Sequence, residues 1–328
     1  VFRSSNIKNG MIDYSDLVRV NKHIKDKIIT KENDILVCAR NGSQRLIGKN
    51  AIIKQEDANN TFGAFMMVYR ANDNPFILPL LSTKKYFSQV GENLGARINQ
   101  ITTSDFNGFE FYFPENHAER TKIAELFRLL DERIATQNKI IEKLQSLIKG
   151  LVDELMTVLL KGKLYPFSSF YIKAGEGGTP TTSVVEYYTE GTIPFIKIED
   201  LSCKYLTNNK DFITELGMQK SSAWLIPSKS VIYSNGATIG AISINEYPVC
   251  TKQGILGIVP NTNINVEYLY LLMSSSYFSK EISRIITEGT MKTAYLKDIN
   301  HIKCPLPSMA QQKNITNLTS SIEEKLSI

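Results

Sequence analysis

Four cysteines, Cys38, Cys203, Cys250 and Cys304, are scattered with no C-x-x-C pair. That disfavours a zinc site or a thiol redox motif and fits a reducing compartment. No apolar run approaches about 18 residues, so nothing reads as a membrane span. The opening residues, Val1 to Asn6, have neither the charged start nor the apolar core of a signal peptide. His23, His117 and His301 stand alone, which suits surface or satisfied polar positions better than a ligand cluster. Gly175-Glu176-Gly177-Gly178 is not a dinucleotide fingerprint, and Gly162-Lys163 lacks the first glycine of a phosphate loop. No carboxylate cluster has the context of a nuclease. The 328 residues, 42% hydrophobic and 22% charged, are ordinary for a globular chain and long enough for two or three domains. A net charge of +5 permits a polyanionic partner without requiring one.

Proline is also missing between Pro114 and Pro166, and this absence frames what is present. Ile123, Phe127, Leu130, Ile134, Gln137, Ile141, Leu144, Ile148, Leu151, Leu155 and Val158 alternate in steps of four and three. That spacing predicts a long helix with a coiled-coil seam, Gln137 being a single polar position of the kind that sets register. About 44 residues at about 1.5 Å each would give a rod of about 66 Å. Such a rod spaces things apart.

Laying the chain on itself shows what is spaced. Ile123, Leu126, Leu130 and Ile134 reappear as Ile315, Leu318, Ile322 and Leu326 at a constant offset of 192. Residues 111–114 match 304–307, Asp105-Phe106 matches Asp298-Ile299, and 85–88 match 276–279. Farther upstream 34–37 pair with 230–233, and 1–7 with 195–201. Single matches of this kind arise by chance, but collinear matches with a shared heptad phase argue for a duplication. Two copies are too few for a solenoid. A second heptad helix therefore begins near Ala310, and the two helices are expected to pair antiparallel along a shared seam.

Each unit has the same coarse grammar. Strands are predicted at 193–198, 230–233, 241–244 and 255–259, then a helix at 266–273 and a segment at 288–302 that ends at the breaker Cys304-Pro305-Leu306-Pro307. The first copy reads alike at 34–37, 51–53, 64–69 and 76–81. The fold class is therefore α+β: two mixed α/β units separated by a pair of long antiparallel coiled-coil helices, in a pseudo-two-fold internal repeat.

Here the chain resembles the DNA-specificity (S) subunits of type I restriction-modification systems. The residues that carry the resemblance are Gly178-Thr179-Pro180 with Ile193-Pro194-Phe195-Ile196, then Val231-Ile232-Tyr233-Ser234 with Ala237-Thr238-Ile239-Gly240. Thr251-Lys252-Gln253-Gly254 and Pro305-Leu306-Pro307 before Gln311-Gln312-Lys313-Asn314-Ile315 continue it, as does the junction Leu159-Leu160-Lys161-Gly162-Lys163-Leu164. The resemblance spans essentially the whole chain, in order and architecture more than in any one motif. It implies a first target-recognition domain at 1–114, a spacer helix at 115–163, a second target-recognition domain at 164–308 and the start of a second spacer helix at 309–328. By the repeat, about thirty residues matching 164–194 are expected ahead of Val1, so the first domain lacks its front part and the second helix is truncated.

The function implied is recognition of a bipartite, asymmetric DNA site by a non-catalytic subunit in the cytoplasm, without contact to a membrane. Half-sites read in successive major grooves lie about 34 Å apart, so two readers on one face need a spacer of fixed length. The resemblance further implies docking of two methyltransferase subunits on the helices and of restriction subunits beyond them. S-adenosylmethionine and ATP belong to those partners, and no cofactor to this chain. The helix seam of Phe127, Leu130, Ile134, Gln137, Ile141, Leu144, Ile148, Leu151, Leu155, Ile315, Leu318 and Ile322 is the expected subunit surface.

Base edges in the major groove select Arg, Lys, Asn and Gln on loops. In the first unit this picks Arg40, Asn41, Ser43, Gln44 and Arg45, with Arg97, Asn99 and Gln100. In the second it picks Lys197, Glu199, Asn235, Thr238, Lys252, Gln253, Lys292, Thr293 and Tyr295. Two other classes compete: a DNA adenine methyltransferase with its own recognition domain, and a coiled-coil scaffold without DNA function. For the former, Asp73-Asn74-Pro75-Phe76 is similar to the (D/N)PP(Y/F) motif but lacks its second proline. The repeat places it at a helix start, opposite Asn265-Val266.

Overall fold

The computed structural model describes residues 1–94, 99–286 and 292–324. The chain divides into two compact units, Val1–Asn138 and Lys139–Ile328. In the first unit β1 (Ile7–Lys8) and β2 (Met11–Ile12) form a small hairpin, and β3 (Ile35–Cys38) is flanked antiparallel by β4 (Asn50–Ile52) and β5 (Met66–Tyr69). All four residues of β3 are fully buried, which is why an unbroken apolar run takes the centre of its sheet. Helices α1 (Asn74–Leu80), α2 (Lys84–Glu92) and α3 (Thr103–Asn107) follow. The stretch 76–81, read from sequence alongside strands, is mostly helix α1: Pro75 in the first turn, where no N–H is needed, favours that start. Ile35, Val37, Tyr86, Val90 and Phe106 form one core cluster, and Phe2, Leu36, Ala51 and Met66 another on the opposite face of the sheet.

Helix α4 (His117–Leu159) runs 43 residues, as the heptads predict. The unit boundary falls inside it, so its first half belongs to one unit and its second half to the other.

The second unit contains β6 (Leu164–Pro166), β7 (Tyr171–Glu176), β8 (Ile193–Ile196), β9 (Tyr205–Leu206), β10 (Asp211–Ile213) and α5 (Glu215–Gln219). After them come β11 (Val231–Ser234), β12 (Ile242–Asn245), β13 (Cys250–Thr251), β14 (Ile255–Pro260), α6 (Val266–Ser274), α7 (Ser276–Ile285), α8 (Leu296–Ile299), β15 (Lys303–Pro305) and α9 (Met309–Glu323). Its main sheet has the order β7-β14-β11-β12-β9, with β11 central, buried and antiparallel to β12 and β14. A second sheet, β10-β8-β13, and the pair β15-β6 complete it. Phe167, Phe170, Tyr233, Tyr268 and Phe278 fill the largest core.

The duplication is visible bond by bond. Thr83 caps α2 by accepting from Tyr86 N, and Ser275 caps α7 by accepting from Phe278 N, at an offset of 192, so the sequence match of 85–88 with 276–279 is one residue out of register. Phe2 bridges Phe62 in parallel, just as β8 pairs in parallel with β13.

The seam departs from the expectation. In the first half of α4, Phe127, Leu130, Ile134 and Ile141 remain 41, 46, 58 and 37% exposed. Among the described residues no antiparallel partner covers them. In the second half the side chains fully buried are Val152 and Met156, which the heptad stripe does not include, while Val158 is 61% exposed. A straight helix drifts by about 20° per heptad against a 3.5-residue repeat. Here the last turns pack on a globular core, with Ile148, Leu155 and Leu159 beside the buried pair, so the buried face follows the straight helix. Burying such a side chain contributes roughly 1.5–3 kcal/mol. In α9, Ile315 is buried on the second unit beside Gln312, Thr316 and Thr319, whereas Leu318 is 48% exposed.

Candidate nucleic-acid interface

In the first unit the chain leaves the central strand at Ala39. The amides of Ala39 and Arg40 both donate to Phe65 O, at 2.9 and 3.0 Å. Gly48 N donates to Cys38 O and Cys38 N to Lys49 O, closing the loop at its base. Ile101 N donates to Ala39 O at 2.9 Å, pinning the segment that follows α2 against it.

The second unit repeats each bond. Asn235 and Gly236 both donate to Gly254 O, at 3.0 and 3.2 Å; Gly240 N donates to Ser234 O, Ser234 N to Ala241 O, and Ala294 N to Asn235 O. Gly48 and Gly240 close the two loops with φ of +80° and +100°, a region where glycine avoids the penalty of a Cβ.

This scaffold brings together residues that are far apart in sequence. Arg40 bridges Gln100, Asn41 N donates to Asn99 O, and Asn99 Nδ2 donates to Gly42 O at 3.0 Å. The groups around 40–45 and 99–100 therefore form one surface. The Arg40 guanidinium lies 5.0 Å from the ring of Phe65, itself 55% exposed. Ser43, Gln44 and Arg45 are exposed, while Asn41 is occupied within the loop, accepting from Ser43 N and donating to Ser4 Oγ. Arg97 lies outside the described residues.

In the second unit, Lys252 N donates to Ile196 O, next to Lys197 in the chain, and Gly254 N donates to Glu176 Oε1 at 2.7 Å. Gly177 packs so closely that a Cβ there would lie 2.1 Å from Thr251 O, which explains glycine in the Gly177-Gly178-Thr179 stretch. Glu199, Thr238, Lys252, Gln253, Lys292 and Tyr295 are exposed, and Thr293 is half-buried. The Lys297 ammonium sits 5.6 Å from the Tyr295 ring.

Two predicted readers have internal work. Asn235 is fully buried, and its Nδ2 donates to Ala294 O at 3.1 Å, so it braces the loop from inside. Lys197 is paired with Asp211 at 2.9 Å, and that hydrogen bond raises its pKa above the ordinary lysine value. Phe65, Glu176, Asp211 and Lys297 were not singled out from sequence. Phe65 stands opposite Gly254 in the duplicated bond pattern, a signal that exists only once loops of unequal length are aligned.

Asn74, in the stretch similar to a methyltransferase motif, is fully buried and donates Nδ2 to Asn33 O and Tyr69 O at 2.8 and 2.9 Å. Its amide holds backbone together inside the unit. Among the described residues no group of three His, Cys, Asp or Glu side chains is placed to hold a metal ion, and no helix is long and apolar enough to cross a membrane.

A family model described as the type I restriction modification DNA specificity domain matches residues 1–146 and 170–328. The chain is similar to the type I restriction enzyme MjaIX specificity subunit of Methanocaldococcus jannaschii, 30% identical over 154 residues, covering 45% of this chain and 35% of that one. The MjaVIII specificity subunit of the same organism is 24% identical over 330 residues, covering 92% of this chain and 75% of that one. In the EcoR124I/EcoR124II subunit of Escherichia coli the match covers 40% of the relative's length. The chain thus spans well under half of several curated relatives it matches. Among solved structures, the S subunit of a type I restriction-modification system from M. genitalium matches with a TM-score of 0.55 and 18% identity, over 94% of this chain and 87% of that one. That likeness concerns the fold.

Proposed function

This chain belongs to the type I restriction-modification DNA specificity family, and we propose that it is the sequence-reading, non-catalytic subunit of such a complex, recognising a bipartite, asymmetric DNA site. Residues 1–114 and 164–308 are the two reading domains, and 115–163 with 309–328 are the spacer. The observation that carries this reading is the duplicated loop scaffold. One set of backbone bonds hangs both loops, while the exposed side chains differ: Arg40, Gln44 and Arg45 on one loop, Thr238 on the other with Lys252 and Gln253 on the turn between β13 and β14. A repeated frame with unlike contact residues suits a split target whose halves differ in sequence.

The exposed stripe of Phe127, Leu130, Ile134 and Ile141 supports a docking role for α4, because contiguous apolar surface on a helix is ordinarily covered by a partner. Methyltransferase subunits are that partner in this reading, and restriction subunits join the same assembly. S-adenosylmethionine and ATP are supplied through those subunits in the cytoplasm. Duplex DNA recovered from a random pool by the chain with its methyltransferase subunits is expected to contain two unlike half-sites at a fixed gap. Recovery without sequence preference, or stoichiometric S-adenosylmethionine binding by the isolated chain, would sink the proposal.

A further inference from the structure

Each long helix begins with a side chain that reaches back into its own unit, at positions 192 apart: Arg120 in α4 and Gln312 in α9. Arg120 donates through Nε to Asp73 Oδ2 at 2.9 Å, and through Nη1 to Pro114 O and Glu115 O at 2.9 and 2.7 Å. Gln312 donates through Nε2 to Pro307 O and Asn263 O at 2.9 and 3.0 Å, and its Oε1 accepts from Asn265 N at 2.8 Å. Asp73 and Asn265 are the N-caps of α1 and α6, and Pro114 and Pro307 are the matching breakers of the repeat. Two chemically different side chains therefore close the same three-way junction of helix start, breaker and N-cap. Gln312 is fully buried and the Arg120 side chain is 15% exposed, with the Phe113 ring 5.9 Å from its guanidinium.

Starting the helices does not require these contacts. Ser308 and Gln311 already form a capping box on α9, and Asn116 Oδ1 already accepts from Ala118 N at the head of α4. What the junction adds is direction. His117 adds a contact of its own, its Nε2 lying 3.3 Å from Asp73 Oδ1, while farther along the helix Phe127 and Leu130 are 41 and 46% exposed.

We propose that Arg120 and Gln312 are positioning residues that lock each spacer helix to its reading unit and thereby set the gap between the half-sites; this deepens the recognition reading and rests on it. Leverage makes the point quantitative. A helix of 43 residues is about 64 Å long. A swing of about 5° at its root moves its far end by about 6 Å, close to two base steps of about 3.4 Å. The two junctions differ in one predictable way. The charged Arg120–Asp73 arm is part-exposed and weakens in salt, whereas the neutral Gln312 arm does not.

Two measurements on the full chain test this. In selection from random duplex DNA with the methyltransferase subunits present, Arg120→Ala is expected to keep both half-site sequences but spread the gap over two or more lengths. Preference for the wild-type gap should fall about tenfold, and Arg120→Gln, the residue used at the equivalent position, should recover part of it. A folded Arg120→Ala chain with a gap as sharp as wild type overturns the proposal. The second measurement needs no DNA: spin labels at Lys54→Cys and Gln137→Cys, in a Cys203→Ser background, report the angle between α4 and the first unit. Their distance distribution should broaden in Arg120→Ala, and an unchanged width overturns the lock. If the wild-type chain selects no split sequence while the spin-label distances broaden, the recognition reading fails and the lock stands as a structural device without a ruler to set.

Discussion

The loop that follows β3 and the loop that follows β11 hang from the same backbone bonds, yet nine residues separate Cys38 from Gly48 and only five separate Ser234 from Gly240. The longer loop puts Arg40 and Arg45 in solvent; the shorter one offers Thr238 and turns its amide, Asn235, inward as a brace. Backbone geometry has been kept through the duplication while length, charge and side-chain direction have diverged. This is how one frame can present two different contact surfaces: backbone hydrogen bonds carry no side-chain identity, so a loop can change its chemistry without changing its anchor points.

The comparison can be broken at the spacer. Ile141→Pro removes a helix bond and clashes with the preceding turn, at a cost of about 3 kcal/mol or more. It should abolish selection of paired half-sites while each unit keeps its own melting transition; paired selection retained in that variant would refute the spacer role. A step smaller, Met156→Ala should destabilise the second unit alone by about 2–5 kcal/mol, because it leaves a cavity in that core. Calorimetry that shows the first unit melting earlier by the same amount would contradict two separable units.

Side chains on the loops should then separate the units by contact type. Arg40→Ala is expected to weaken DNA binding by about 1–3 kcal/mol and to lower the salt slope by about 1 if the guanidinium meets a phosphate. Thr238→Ala should leave the salt slope untouched. Binding isotherms at several salt concentrations decide this, and equal slopes for both variants would erase the contrast between a basic loop and a neutral one. The smallest effect concerns thiols. Exposed Cys203 should label rapidly at neutral pH, while Cys38 and Cys250 are buried, desolvation pushing the Cys250 thiol up to about 11. Because the thiolate is the reactive form, Cys38 in the first unit and the buried Cys250 and Cys304 in the second should react only as their own units open, at separate rates. A single common rate would mean that the units unfold together.

Much of this was legible in the residues. The heptad run from Ile123 to Val158 lies wholly within α4, because helix periodicity is a local property that each turn restates. The breaker that ends at Pro307 likewise announces α9. Which face of α4 is buried was not legible. Val152 and Met156 lie off the stripe, and they are buried because a globular core meets the last turns where a supercoiled partner would have followed the seam. The pairing of Lys197 with Asp211, the brace at Asn235 and the junctions at Arg120 and Gln312 were equally hidden, since each depends on residues 14 to 59 positions apart.

The sequence by itself determined the repeat, the long helix between the copies and the loops that carry polar and basic groups. These follow from spacing along the chain, which conformational preference and apolar periodicity read locally. Only the tertiary structure decided which loop side chains face solvent and which are spent on the scaffold, where the helix face turns inward, and which two residues tie the helices down. The physical reason is that hydrogen bonds and burial between distant segments depend on how the chain returns on itself, and no local pattern encodes that return.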